Sequence, residues 1–463
     1  MEPVGIYLHV PFCVRKCRYC DFLSFPSDEE TMRKYAAALR EEIRLTGLHF
    51  ENEYRKRLKA DTVFIGGGTP TALPADCLKG LTDQVRASFD VEEGAEVTVE
   101  MNPGTFGKGG YEEGLLDFIT GECSRASIGL QSADDAELQV LGRIHTFAEF
   151  EECFAALRSR GFKNISADLI FALPGQTLAS WERTLNKAAA LSPEHISAYS
   201  LILEEGTEFM RLMRAGKFSG KYALPDEDTE REMAHFAEDF LKSRGYARYE
   251  ISNFAKPGFE SRHNLRYWRR RDYLGMGLGA ASLYEETRYS NTADLGEYIK
   301  GVAEASEAAR ACGLPENGGG TPEPRAGRAE GTEAAKAAEN TAAAVKTIRE
   351  PEAAEGGTGR GRSPKAGPEL LLPAIRKNIE RLTLKARMEE FMFLGLRTAR
   401  GISSADFERS FGRSLEEVYG KALGEAAGQG LMDAAEEGGG TRFFLTRRGV
   451  DVSNAVLAGF LLD

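Results

Sequence analysis

Gly5-Ile6-Tyr7-Leu8-His9-Val10-Pro11-Phe12-Cys13-Val14-Arg15-Lys16-Cys17-Arg18-Tyr19-Cys20-Asp21-Phe22 reads as a short strand, a proline turn and a tight loop with cysteines spaced C-x3-C-x2-C. Three thiolates on one loop can hold three corners of an iron–sulfur cube, whereas fully protein-bound cubes take four cysteines. A cube on Cys13, Cys17 and Cys20 leaves one iron open to a small molecule. Structural zinc is the competing reading, but its closed tetrahedron is usually built from two separated ligand pairs. No second C-x2-C or H-x3-H exists, and Cys77, Cys123, Cys153 and Cys312 are scattered. His9, too close along an extended strand to be an easy fourth ligand, is expected to pack beside the loop.

The chain around this loop has 463 residues, enough for two folded units. Hydrophobic residues make up 42% and charged residues 28%, a soluble globular balance, and the formal net charge of −12 argues against non-specific nucleic-acid binding. Seven cysteines, three of them clustered, do not form a disulfide framework, which implies a reducing compartment. No apolar signal region follows Met1 and no run reaches membrane-spanning length. The late apolar patch Ala455–Leu462 is expected to pack as a terminal helix.

Strand-like runs at Ile6–Val10, Thr62–Ile65, Glu96–Glu100, Arg125–Leu130, Asn164–Ile170 and His195–Ser200 alternate with helix-like runs. The first helix opens at a capping-box signature, Ser27-Asp28-Glu29-Glu30, and later ones follow Pro74, Ala133, Phe147 and Thr177. Regular β-then-α alternation predicts a parallel sheet covered by helices. Six units are too few for a closed eightfold barrel, so the expected α/β fold is a partial (β/α)6 barrel with function at the C-terminal strand ends.

The second strand runs into Gly66-Gly67-Gly68-Thr69-Pro70-Thr71, a turn whose backbone can approach a ligand closely. It is not a phosphate loop, because no Gly-Lys-Ser/Thr follows. Glu100, Gln131 and Asp168 sit at or near later strand ends, and Arg143 lies in Leu141-Gly142-Arg143-Ile144-His145-Thr146. Each alone reads as a cap or surface ion pair; as a set they ring one face.

On these motifs the first 300 residues resemble the oxygen-independent coproporphyrinogen III oxidase-like radical SAM family, and within it the haem-chaperone branch. The resemblance implies a [4Fe–4S] cluster on Cys13, Cys17 and Cys20, with S-adenosylmethionine (SAM) bound at the open iron through its amino and carboxylate groups. It implies SAM contacts at Tyr7, Tyr19, Gly67, Gly68, Thr69, Glu100, Gln131, Arg143 and Asp168. It also implies haem as cargo, apo-haemoproteins as partners, and a cytoplasmic protein that is partly membrane-associated and able to dimerise. The alternative within the family is oxidative decarboxylation of coproporphyrinogen III. That oxidase carries a further cysteine two residues after the third ligand, where this chain has Phe22.

Arg262-His263-Asn264-Leu265-Arg266-Tyr267-Trp268 matches the H-N-x-x-Y-W signature of the chaperone branch. An imidazole can ligate haem iron, so His263 is the expected haem contact, with aromatic stacking and propionate pairing by Arg269, Arg270 and Arg271. The family's usual His after Gly279-Ala280 is replaced by Ala281, so no haem ligation is assumed there.

Beyond a first domain at 1–300, residues 301–368 turn to Ala, Gly, Glu, Pro and Arg without an aromatic, and a disordered insertion is expected. Order resumes near Leu370, and 369–463 resembles the small winged-helix-like domain that ends the family. Its would-be recognition helix carries Glu416, Glu417 and Glu425 against Lys421, which phosphates would repel.

Overall fold

The computed structural model describes residues 2–105, 113–311 and 372–462. Six parallel strands follow in chain order: β1 (Val4–Val10), β2 (Lys59–Gly67), β3 (Asp90–Met101), β4 (Arg125–Gln131), β5 (Ile165–Phe171) and β6 (His195–Ser200). Each pairs with the next, in registers such as Tyr7↔Phe64, Phe64↔Thr98 and Gly129↔Asp168. Their connections carry α1 (Glu29–Tyr54), α2 (Ala75–Ser88), α3 (Glu113–Glu122), α4 (Asp135–Leu141), α5 (Phe147–Ser159) and α6 (Leu178–Ala190).

Alternate strand residues, including Ile6, Leu8, Ile65, Val99 and Ile128, join Leu39, Leu78, Ile119 and Phe150 of the helices in one core. Because side chains alternate faces along a strand, the intervening Tyr7, Glu100, Ser127, Asp168 and Ser197 turn to the opposite, concave side. The first helix is capped by Asp28, which accepts from Thr31 N at 2.7 Å, rather than by a box begun at Ser27.

The sheet then grows at both edges. After α7 (Glu208–Arg214) and α8 (Glu227–Ser243), β8 (Asn253–Ala255) adds antiparallel to β6, and β7 (Ala247–Arg248) pairs antiparallel with β8 at the edge. After α9 (Arg262–Trp268), β9 (Tyr273–Met276) pairs parallel with β1, and β10 (Ala281–Tyr284) and β11 (Thr287–Asn291) follow antiparallel. Among the described residues the strand order is linear from one edge to the other, the topology of an open, partial barrel.

Two boundaries differ from expectation. Residues 301–311 complete α10 (Leu295–Ala311), whose Tyr298, Gly301, Val302, Ser306 and Ala309 are buried. Small side chains that read as low complexity here let the helix lie close against its neighbours; residues 312–368 of the expected insertion lie outside the described residues. Beyond them, β12 (Arg376–Arg381) pairs with β11 and so belongs to the large sheet, not to the second domain.

A buried network fastens this return. Glu42 of α1 accepts from Arg376 Nη1 (2.8 Å), Asn291 Nδ2 (2.9 Å), Gly277 N (2.8 Å) and Tyr298 Oη (2.6 Å). The side chains of Glu42 and Arg376 are 0% and 1% exposed.

The remaining chain forms α11 (Leu384–Gly395), β13 (Ile402–Ser403), α12 (Ser404–Phe411), α13 (Leu415–Gly428), β14 (Met432–Glu437) and β15 (Gly440–Leu445), the element order of a winged helix. Helices α14 (Arg447–Asp451) and α15 (Ser453–Ala458) follow, and Val456, Leu457 and Phe460 close a separate core with Met392, Phe407 and Tyr419. Among the described residues no helix is long and apolar enough to cross a membrane.

Candidate functional site

The cysteine loop leaves β1 at the C-terminal rim and is pinned from three sides. Phe25 N donates to Pro11 O (2.9 Å) and Cys13 N to Phe25 O (3.1 Å), which draws the loop's ends together. From the glycine turn, Gly68 N donates to Val10 O (2.8 Å) and Thr69 N to Phe12 O (2.7 Å). A Cβ on Gly68 would stand 2.6 Å from the Phe12 carbonyl oxygen, so glycine is what lets these backbones meet. With both amides committed, the turn has carbonyl oxygens to offer a ligand, and carbonyls suit an ammonium group. From the third side Arg18 N donates to Leu141 O (3.1 Å) and Arg15 Nη2 to Gly142 O (2.7 Å).

Cys13, Cys17 and Cys20 are partly exposed free thiols. Thr69 Oγ1 lies 3.5 Å from Cys13 Sγ, and Arg143 Nη1 donates to Cys17 Sγ at 3.6 Å. Burial, with the other two thiols near, pushes the Cys20 thiol up. Among the described residues no three His, Cys, Asp or Glu side chains converge on a single ion. Three thiols on one loop suit a cube, which takes one thiolate per iron.

Arg143 supports the same fit. Its Nη2 donates to Gly129 O (2.8 Å), while its Nε is buried without a partner among the described residues. A buried cation with a spare donor beside three thiols is a place for an anionic group.

The other expected residues gather on this rim or just below it. Glu100 Oε2 accepts from Gly67 N (3.0 Å); burial and the nearby Asp168 push its carboxyl up to about 7. Gln131 ends β4 with φ of 69°, an uncommon backbone for a non-glycine, and its amide lies over Gly129 beside Arg143. Asp168 is more occupied than expected: Oδ1 accepts from Ser166 (3.0 Å) and Ser197 (2.7 Å), and Oδ2 from Ser127 (2.9 Å). Tyr19 packs its ring 6.4 Å from Phe209. Tyr7 Oη lies 3.0 Å from His9 Nδ1, and His9 Nε2 is 2.9 Å from Leu23 O. A carbonyl only accepts, so Nε2 carries the proton and Nδ1 accepts from Tyr7. His9 thereby holds the loop's outgoing end, a packing role.

The structure does not place His263 where it can meet haem. It is 0% exposed, with Nδ1 2.9 Å from Thr62 Oγ1 and Nε2 2.8 Å from Tyr267 Oη, so both ring nitrogens are taken. Burial, with Arg266 and Arg125 near, pushes its pKa down to about 3. The reason is local. Glu96 accepts from Arg262 N (2.9 Å) and His263 N (3.0 Å), turning the start of α9 inward under the barrel. Trp268 at its other end lies under Arg397, whose guanidinium is 4.9 Å from the ring. The H-N-x-x-Y-W segment is here an anchor between the barrel floor and the second domain. Arg270 is likewise committed, to Glu286 and Glu390, and Arg271 to Glu2.

Sequence reasoning missed Arg15, which braces the loop, and the serines that hold Asp168. Their signal was available: Ser166 and Asp168 alternate with apolar residues along β5, as Ser197 does along β6.

A model described as the radical SAM superfamily matches residues 7–188, and one described as the HemN C-terminal domain matches residues 382–452. The heme chaperone HemW of Lactococcus lactis subsp. lactis is 32% identical over 462 residues, covering 100% of this chain and 98% of that protein. The heme chaperone HemW of Bacillus subtilis is 32% identical over 458 residues, covering 98% of each. Among solved structures, coproporphyrinogen III oxidase (HemN) from Escherichia coli, a radical SAM enzyme, aligns with a TM-score of 0.71 at 20% identity. It covers 99% of this chain and 90% of that one, a likeness of fold.

Proposed function

We propose, since this chain belongs to the HemW family of radical SAM proteins, that it binds a [4Fe–4S] cluster and SAM and delivers haem to apo-haemoproteins. The observation that carries the reading is the meeting of three free cysteines, a glycine turn and an arginine with a spare Nε donor on one strand-end rim. Cys13, Cys17 and Cys20 would each hold one iron. The carbonyls of Gly67 and Gly68 suit the ammonium of SAM, Arg143 its carboxylate, and Gln131 and Glu100 its remaining polar groups; Tyr7, Tyr19, Thr69 and Asp168 shape the walls around them. When bound, such a cluster supplies an electron to the sulfonium; the protein's part is to bind, orient and shield.

Haem as cargo rests on full-length likeness to heme chaperones and not on His263. Phe22, standing where the related oxidase has a further cysteine, favours delivery over oxidative decarboxylation. A cytoplasmic setting, partial membrane association and a homodimer belong to the same reading. The test is anaerobic reconstitution, haem titration and transfer to an apo-haemoprotein, with deoxyadenosine measured alongside. Saturable haem binding followed by transfer is expected; absence of saturable binding overturns the reading.

A further inference from the structure

With His263 sealed in the barrel floor, the cargo needs another seat. Resting on the haem-chaperone reading above, we propose that haem binds in a groove of about 680 Å³ beside the cysteine loop, with the Tyr222 phenol oxygen as axial ligand and Arg183, Lys217 and Lys221 on its propionates.

The volume falls within the roughly 300–1,000 Å³ of small-molecule sites. The apolar part of the lining includes Val140, Phe209, Leu212 and Phe218, and Phe209 and Phe218 meet edge-on with ring centres 5.2 Å apart. Arg183, Lys217 and Lys221 line the groove with no carboxylate partner among the described residues. Of the two acids that line it, Asp134 is turned to capping α4 and Glu137 is buried against Ser132 and Gln176. An aromatic-walled slot with spare cations suits a flat, amphipathic dianion, which haem is.

The iron ligand follows from the lining. Among its described residues there is no His, Cys or Met, and tyrosinate is the other side-chain ligand haem proteins use. Tyr222 is 42% exposed, and Lys221 Nζ lies 4.9 Å from its ring centre. On coordinating ferric iron the phenol would release its proton to solvent.

This segment is fixed to the barrel rim. Gly175, in the turn after β5, donates its amide to Ala223 O (2.8 Å). It has φ of 81°, and a Cβ there would stand 2.3 Å from Lys221 O. The opposite wall is tied to the cysteine loop, since Phe209 N donates to Arg18 O (2.9 Å). Cargo and cluster would therefore share a wall.

The test titrates ferric haem into the full, anaerobically reconstituted chain and its Tyr222→Phe and Lys217→Glu/Lys221→Glu variants, with iron and sulfide content measured in each. Wild type should give a high-spin tyrosinate spectrum with an iron–phenolate stretch in resonance Raman. Tyr222→Phe should lose that signature at unchanged iron and sulfide, and the double charge reversal should weaken binding roughly tenfold or more. Haem bound by both variants with wild-type spectrum and affinity overturns the groove and leaves the chaperone reading standing. No haem binding by wild type overturns both.

Discussion

Glu42→Ala removes the acceptor at the centre of the buried network that holds α1, α10, β11 and β12 together. Four donors converge on that carboxylate: Arg376 Nη1, Asn291 Nδ2, Gly277 N and Tyr298 Oη. Leaving a buried donor unpaired costs about 1–3 kcal/mol, and stripping the partner from a buried ion costs about 3–5 kcal/mol. These overlap, because Arg376 can still donate to Asn291 and rearranged donors can share water, so the loss expected is about 3–5 kcal/mol. That is a large share of the roughly 5–15 kcal/mol that keeps a domain folded. Exposed pairs such as Arg33–Glu29 set the contrast, at about 0–1 kcal/mol. Urea unfolding of the wild type, Glu42→Ala, and a double variant replacing Glu42 by Leu and Arg376 by Met measures the effect from the midpoint at constant slope. The double variant should be less destabilised than Glu42→Ala, since it removes the stranded charge. A loss below about 1 kcal/mol for Glu42→Ala would refute the reasoning, because the network would then be no better than a surface pair.

Gly68→Ala drives a methyl to within 2.6 Å of the Phe12 carbonyl oxygen, and should lower iron and sulfide incorporation more than Gly121→Ala on α3, where nothing lies within 4 Å; equal incorporation would contradict the close-packing argument. Arg143→Met should weaken SAM binding about 10–150-fold, the loss of one charge-assisted contact of about 1.5–3 kcal/mol; equilibrium dialysis on reconstituted protein reads it. Burial pushes the Glu100 carboxyl from its ordinary 4.5 up to about 7, so the stability it contributes is fully present below about 4.5 and is lost as pH rises through about 7. Glu100→Gln should therefore flatten the pH dependence of the apoprotein's Tm across that window, and an unchanged slope would place the titration elsewhere.

What could be read from the chain follows from where its signals are local. The six parallel strands were legible because each is an apolar run closed by Gly, Pro or a polar rim residue, and the cysteine loop because its spacing lies within eight residues of one turn. The strands β7 to β12 were not, since several are two to five residues long and owe their existence to pairing with a preformed edge. The Glu42–Arg376 pair joins residues 334 apart and carries no periodic trace. His263 illustrates a different limit. A polar helix normally faces water, but the concave side of this barrel is itself polar, so a pattern of His, Asn, Arg and Tyr reads the same whether it is buried there or displayed.

The central claim is a cube with one uncommitted iron, and iron and acid-labile sulfide counted per chain after anaerobic reconstitution test it most directly. About four of each are predicted, retained in Cys77→Ala and lost when Cys13, Cys17 or Cys20 is replaced by alanine. Stoichiometric zinc without sulfide, or a cluster indifferent to those three substitutions, would contradict it.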